Sequence, residues 1–495
     1  MLTPTAEQAA CIDTFNNGDT MIIEALAGTG KTTSLKMIAD GTRRKGLYAA
    51  FNKSVVTDAK AVMPQNVKVS TFHSLAYGAV GWRYKKRLGG SRVRSERIAA
   101  AFGINPITFV LPGGERRLAA GFLGGHMLKA LNIFCTTDDD EPSVMHFPLI
   151  DGLDMLGADG QRRYDNNNAV AAALLPALKS AWADVQSPDS GLVPFQHGMY
   201  LKMWALTRPV LPYDFVMIDE AQDLAPVVAG VIDNQDANTQ LCLVGDPNQS
   251  IYAFTGAVDA MARMGIENRS FLTESWRFGP EIANQANVLL ALLDAESRLK
   301  GRGGPGRVGK VEQPHAILSR TNALCVRAAL NELKRGGRPA IVGGADEVIR
   351  FAKAAEQLEA TGFTSHPELA CFKSWTDVQE YVSQDANGSD LALLVSLIDE
   401  FGAEAIIDGL SQCVSEASAT LILSTAHKSK GRQWPTVRLA DDFPKGVDDD
   451  GCVVPVADEE LRLLYVAATR AESVLDHGGN PIMYRRESET EGMLV

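Results

Sequence analysis

At roughly 100–200 residues per domain, a chain of 495 residues predicts about two to four domains, and 45% hydrophobic with 22% charged residues is the balance of an ordinary globular protein. The formal net charge of −12 argues against a protein that coats nucleic acid by bulk charge, though not against one with a local basic groove. No apolar run approaches the ~20 residues a bilayer needs, no basic-then-apolar leader follows Met1, and the 7 cysteines are scattered without C-x-x-C spacing, which excludes from expectation a membrane span, a secretory signal, a zinc site and a disulfide framework.

In chain order, Thr20–Glu24 reads as a short buried strand, followed by Ala25-Leu26-Ala27-Gly28-Thr29-Gly30-Lys31-Thr32-Thr33 and a helix beginning near Ser34. Strand, glycine-rich loop and helix are the context of a phosphate-binding loop. Backbone N–H groups from Ala27 to Thr33 would face phosphate oxygens, Lys31 would reach the β- and γ-phosphates, and the Thr32 hydroxyl would ligate Mg²⁺. Ala25 stands where the motif usually begins with glycine.

Arg83, Lys85, Lys86, Arg87, Arg92, Arg94 and Arg97, interleaved with Trp82 and Tyr84, form a basic cluster that fits a nucleic-acid contact or a solvated face equally well. Further on, Asp138-Asp139-Asp140-Glu141 and Asp165-Asn166-Asn167-Asn168 are less legible. Phe215–Ile218 reads as a strand ending in Asp219-Glu220-Ala221-Gln222-Asp223. An acidic pair at a strand's carboxyl end is where an α/β sheet places chemistry; Asp219 would hold Mg²⁺ and Glu220 would orient the attacking water. A third strand, Gln240–Val244, runs into Gly245-Asp246-Pro247-Asn248-Gln249-Ser250-Ile251-Tyr252, placing Gln249 to sense the γ-phosphate. Three such strand ends with helices between predict a doubly wound parallel sheet. The glycine-rich stretch from Gly301 to Gly309 reads as a surface loop.

These segments, in this order, resemble the motifs of the UvrD/Rep/PcrA group of superfamily 1 DNA helicases, from Gln8 to Arg470. The quoted stretches are Leu2 to Gln8, Phe51-Asn52-Lys53-Ser54, Thr71-Phe72-His73-Ser74, Asp219 to Asp223, Gly245 to Tyr252, Leu272 to Arg277, Ser319-Arg320-Thr321-Asn322, Ser424 to Gly431 and Glu460 to Ala471. Phe51 to Ser54, Thr71 to Gly78 and Tyr200-Leu201-Lys202-Met203-Trp204 look most like the F-box DNA helicase branch, although no F-box is expected ahead of Gln8.

The resemblance implies an α/β protein with two RecA-like P-loop motor domains, each a parallel doubly wound sheet, carrying mainly helical insertions. Residues 1–77 and 200–273 would form motor domain 1A, 78–199 insertion 1B, 274–344 and 419–495 motor domain 2A, and 345–418 a short insertion 2B. It implies an ATP- and Mg²⁺-dependent helicase that moves 3′→5′ on single-stranded DNA and acts at single-strand/duplex junctions in repair or recombination. A strand translocase or ATPase subunit that strips proteins or serves a partner nuclease is the alternative. A nuclease, loader or recombination partner, no membrane partner, and a bacterial cytoplasm or that of a phage host complete the expectation.

By resemblance, Gln8 reads adenine, Trp276 stacks on it and Gln433 lies at the ribose. Arg277 and Arg470 reach the γ-phosphate from the second half. Asn52, Thr71, His73, Tyr252, Phe254, Arg320, Thr425 and His427 contact the strand. Half-buried core aromatics would look like Tyr252 and Phe254, a core Trp like Trp276, and structural histidines like His73 and His427. Thr255 and Gln433 depart from the family's usual Arg and Glu, which bears on coupling and on ribose contact.

Overall fold

The computed structural model describes residues 3–50, 53–89, 93–111, 114–153, 155–156, 162–235, 239–252, 260–366, 368–370, 372–383, 390–448 and 452–484. Asn52, Phe254 and Thr255, and Arg92 of the basic cluster, lie outside the described residues.

Two six-stranded sheets form the frame, and every pairing within them is parallel. The first runs, edge to edge, Arg269–Leu272, Met21–Ala25, Gln240–Gly245, Phe215–Asp219, Gly46–Ala50, Val67–Thr71. The second runs Arg307–Val308, Ala471–Asp476, Trp434–Leu439, Ala316–Ser319, Leu421–Thr425, Pro339–Ile341.

Alternation along the strands explains why both faces are dry. Met21, Ile23 and Ala25 share a core with Phe215, Met217, Cys242 and Val244. Ile22 points the other way and packs with Val216, Ile218, Leu241 and Leu243. A strand buried on both faces reads as an unbroken apolar run, as these do. Register brings the carboxyl ends together, with Glu24 beside Gly245, Asp219 beside Val244 and Ala50 beside Thr71. The polar loops therefore leave from one edge of the sheet, where open α/β sheets bind ligands.

Helices dominate what lies outside the sheets. Between the strands ending at Thr71 and starting at Phe215 come Ser95–Ala101, Ala120–Thr136, Asp165–Val185 and His197–Leu206, with an antiparallel hairpin of Ile107–Leu111 and Gly114–Leu118. Asp346–Thr361, Trp375–Ser383, Asp390–Phe401 and Ala403–Ser411 pack on the second sheet through Phe351, Leu358, Val395 and Ile406 against Leu421 and Leu423. The hairpin reaches the later helices through Arg116, 3.3 Å from Asp377. Among the described residues no helix is long and apolar enough to cross a membrane.

Three stretches that the sequence left open or read too simply are given a definite form. The acidic run is a fastener: Asp138 pairs with Arg263 at 2.7 Å, Asp139 with His146 at 2.9 Å, Asp140 with Arg208 at 2.7 Å and Glu141 with Lys179 at 3.6 Å. Buried Lys202 donates to the Thr137 and Asp139 carbonyls at 2.7 and 2.5 Å, and burial brings its ammonium down to about 8. In the basic cluster, Arg87 is half-buried and spends its guanidinium on the carbonyls of Asp184, Val185, Ser187 and Val193, a structural use that takes it away from a nucleic-acid contact. Nor is Gly301 to Gly309 simply a surface loop. Its ends pair in parallel with Glu274–Ser275 and Ala471–Asp476, and a side chain at Gly303 would lie 2.7 Å from the Phe278 backbone nitrogen.

Candidate active site

The strand Met21–Ala25 delivers the chain into the loop, and the helix Lys31–Asp40 starts directly after Gly30. Gly28 and Gly30 have φ of +77° and +81°, the left-handed region that other residues enter only with strain. Gly28 also lies against the second half of the chain: a Cβ there would sit 2.5 Å from Ser275 Oγ and 2.7 Å from Arg277 Cβ. The Trp276 amide donates to the Gly28 carbonyl at 2.9 Å. Leu26 and Ala27 pack into the core of the second sheet beside Phe278 and Tyr465, so loop and second sheet share one hydrophobic unit.

Around this loop the structure gathers all six residues expected to be catalytic. Lys31 Nζ lies 3.4 Å from Glu220 Oε2. Asp219, fully buried, accepts from the Tyr48 hydroxyl at 2.5 Å and from the Glu220 amide at 2.9 Å; the Tyr48 hydroxyl also touches Thr32. Glu220 has φ of +55°, a strained conformation for a residue with a side chain. Gln249 donates to Asp246 Oδ2 at 2.6 Å, and its carbonyl oxygen accepts from Arg470 Nη2 at 3.0 Å. Arg277 donates to Gln433 Oε1 and to the Thr469 carbonyl, each at 2.9 Å, next to Arg470. Thr29 is buried and donates to the Leu26 carbonyl at 2.8 Å, bracing the loop, and Thr33 lies on the helix behind Gly30.

Charge within the cleft is unevenly distributed. Burial, then the adjacent Glu220 charge, raises the Asp219 carboxyl above the usual range, against Lys31. Burial pushes Glu220 the same way, but Lys31, Lys430 and the Gln222 amide outweigh it and hold Glu220 ionised. Burial, then repulsion from Arg277, brings Arg470 down to about 9, still charged at neutral pH.

The remaining candidates divide. Gln8 Oε1 accepts from the Thr5 amide at 3.0 Å and its Nε2 donates to Ser34 Oγ at 3.1 Å, which ties it to the loop helix. Trp276 is 56% exposed beside the loop, as a stacking platform needs and a core Trp would not be. Gln433 is shared between Arg277 and Glu472, 2.7 Å from its Nε2. Arg320, Thr425 and His427 line a cavity of about 570 Å³ with Ser250 and Ile251. Arg320 also makes a forked pair with Glu460 at 2.7–2.9 Å. Tyr252 donates to the His427 carbonyl at 3.1 Å. Thr71 and His73 do not line that cavity: Thr71 caps the helix Phe72–Ala79, and His73 packs edge-on against Tyr200, ring centroids 6.4 Å apart.

Sequence reasoning missed several members of the site. The Tyr465 hydroxyl accepts from the Ala27 amide and donates to Asp246 Oδ2, both at 3.3 Å, joining the two halves at the loop itself. Its signal was available: one hydroxyl inside Leu463-Leu464-Tyr465-Val466-Ala467-Ala468 must find a partner if that helix is buried. Gln222 donates to Glu220 at 2.6 Å and accepts from the Asp246 amide at 3.1 Å. Lys430 pairs with Asp223.

A family model described as AAA domain matches residues 8–255, and one described as UvrD-like helicase C-terminal domain matches residues 346–476. The chain is 28% identical over 95% of its length to F-box DNA helicase protein 1 of Schizosaccharomyces pombe, covering 57% of that protein. It is 28% identical over 93% of its length to F-box DNA helicase 1 of Gallus gallus, covering 47%. DNA helicase IV of Escherichia coli matches at 25% over 61% of the chain and 38% of the relative. The chain thus spans about half the length of the two F-box relatives. With both family models matched in order on two parallel-sheet halves that meet at one phosphate loop, this chain belongs to the UvrD-like superfamily 1 helicases.

Proposed function

We propose that the protein hydrolyses ATP, with Mg²⁺, to move along single-stranded DNA and separate duplex strands at junctions. The observation that carries this reading is Arg470, 2% exposed, hydrogen-bonded to Gln249 across the two halves: a fixed guanidinium from one sheet meets the γ-phosphate sensor of the other. A site assembled from two bodies is completed when they close and undone when they part, which is how phosphate chemistry becomes motion.

The residues fit the groups this requires. Left-handed glycines turn backbone N–H groups toward a phosphate, with a helix N-terminus behind them. Thr32 and Asp219 offer hard oxygen donors for Mg²⁺, and the raised Asp219 carboxyl marks a carboxylate pair that Lys31 alone does not offset. Bound ATP with Mg²⁺ supplies the phosphoanhydride to be cleaved. Lys31 holds the β- and γ-phosphates, ionised Glu220 orients and polarises water, and Arg277 and Arg470 face the charge on the transferred group. Trp276 takes the adenine face and Gln8 its edge.

Strand contacts fall to Tyr252, Arg320, Thr425 and His427 around the cavity, with Thr71 and His73 along the first sheet. Polarity of 3′→5′, a nuclease, loader or recombination partner, and the division into 1A, 1B, 2A and 2B given above belong to the same reading.

Steady-state ATP hydrolysis with and without single-stranded DNA, at low and moderate salt, tests it. Turnover should rise strongly with the strand and the stimulation should fade as salt displaces phosphate contacts. Turnover indifferent to any nucleic acid sinks the strand reading and favours a small-molecule phosphotransferase.

Closure of the cleft is tested at the loop. Gly28→Ala places a methyl group inside the Ser275–Arg277 segment at a positive φ. Turnover should fall about tenfold or more, the scale of 1–3 kcal/mol of local strain, while the melting temperature moves by only a few degrees. Unchanged turnover would mean that the two halves work further apart than they stand here.

A further inference from the structure

Lys430 helps to hold Glu220 ionised, and it sits where the site meets the cavity of the strand reading. Its Nζ bonds the Asp223 carboxylate and the Gln249 carbonyl, the latter at 2.6 Å, and lies over the Tyr252 ring, 5.4 Å from the centroid. Asp223 is buried and Lys430 nearly so, at 5% and 10% side-chain exposure. Asp223 Oδ1 is buried with no hydrogen-bond partner among the described residues, so the carboxylate depends on its other oxygen. That oxygen also accepts from Gln222 Nε2 at 3.2 Å, and the same Nε2 donates to Glu220 at 2.6 Å. Glu220 in turn meets Lys31 at 3.4 Å. On the other side, Tyr252 donates to the carbonyl of His427, which lines the cavity with Arg320 and Thr425.

We propose that Lys430 is the positioning residue through which a strand on Tyr252 sets the placement of Glu220, by way of Asp223 and Gln222. A base laid on the Tyr252 ring competes for the face that the ammonium now covers. Any displacement of Nζ is passed to Asp223, whose other oxygen has no hydrogen bond among the described residues to absorb it, and so to the Gln222 amide that holds Glu220. Lys430 comes from the second half and Asp223 and Glu220 from the first, so the same link follows opening and closing of the cleft. A continuous chain of contacts is not by itself coupling; a double-mutant cycle decides.

The inference rests on the strand-driven reading above, and its test separates the two. The ratio of ATP turnover with saturating single-stranded oligothymidylate to turnover without it would be measured for the wild type, Lys430→Met, Tyr252→Leu and the double variant. Each single change should lower the ratio about tenfold, within the usual range of coupling energies, and the double should fall no further than the lower single. Lys430→Arg, which keeps a cation over the ring, should recover part of the loss. Losses that multiply to about a hundredfold, or a Lys430→Met ratio equal to the wild type, overturn the inference. A buried pair that merely held the halves together would weaken folding and ATP affinity without that non-additivity. If Lys430→Met does not fold, Asp223→Asn enters the same cycle with the same two outcomes. A wild type that no strand stimulates overturns the function reading, and this inference with it; a stimulated wild type with an intact Lys430→Met ratio overturns this inference alone.

Discussion

Glu220→Gln should lower strand-stimulated ATP turnover by about 10²–10⁴-fold, the range for losing a positioned general base, and should leave ATP binding and the melting temperature close to wild type. The contrast follows from what the substitution preserves. Glutamine has the same shape and can still accept from the Gln222 amide and face Lys31, so the packing around Asp219 is undisturbed. What goes is the negative charge that Lys31, Lys430 and Gln222 keep ionised against burial, and with it the means of polarising a water. Steady-state turnover paired with titration of a fluorescent ATP analogue checks both halves. Wild-type turnover in this variant would refute the assignment of Glu220, and lost binding would recast it as a phosphate-site residue.

The arginines carry the second large effect. Arg277→Ala and Arg470→Lys should each reduce turnover about 10³-fold or more, as expected when a guanidinium facing a transferring phosphoryl group is removed or replaced by a point charge. Arg470 is the more rigid, since its Nε donates to the Val466 carbonyl at 2.8 Å while Nη2 reaches Gln249. A lysine cannot hold both positions at once. Arg277 is half-buried, held by Gln433 and the Thr469 carbonyl. Single-turnover hydrolysis at saturating ATP reports the chemical step for both; if either variant changed only ATP affinity, that arginine would be a binding group.

Local patterns made much of the cleft legible in the sequence. Apolar runs ending in Glu24, Asp219 and Gly245 announced parallel strands, and the residues after them are the ones the register brings side by side. Pairs that no local spacing encodes were out of reach. Lys430 and Asp223 stand 207 residues apart, and neither is unusual in its own segment. The run from Asp138 to Glu141 was hard to read because its partners Arg208 and Arg263 come from distant parts of the chain. Gln433 was expected at a ribose from its place in a motif; sequence could not show that its amide is engaged by Arg277 and Glu472.

The backbone at Glu220 sets a limit of another kind. A residue with a side chain held at φ of +55° costs of order 1–3 kcal/mol, and glycine or asparagine would relieve much of that cost. Either replacement also removes the carboxylate to which the proposed mechanism gives the work of polarising water. Selection for a sturdier fold and selection for turnover therefore pull in opposite directions at this one position. A sturdier variant of this protein that keeps its turnover must therefore gain its stability at other positions and leave this strained turn as it is.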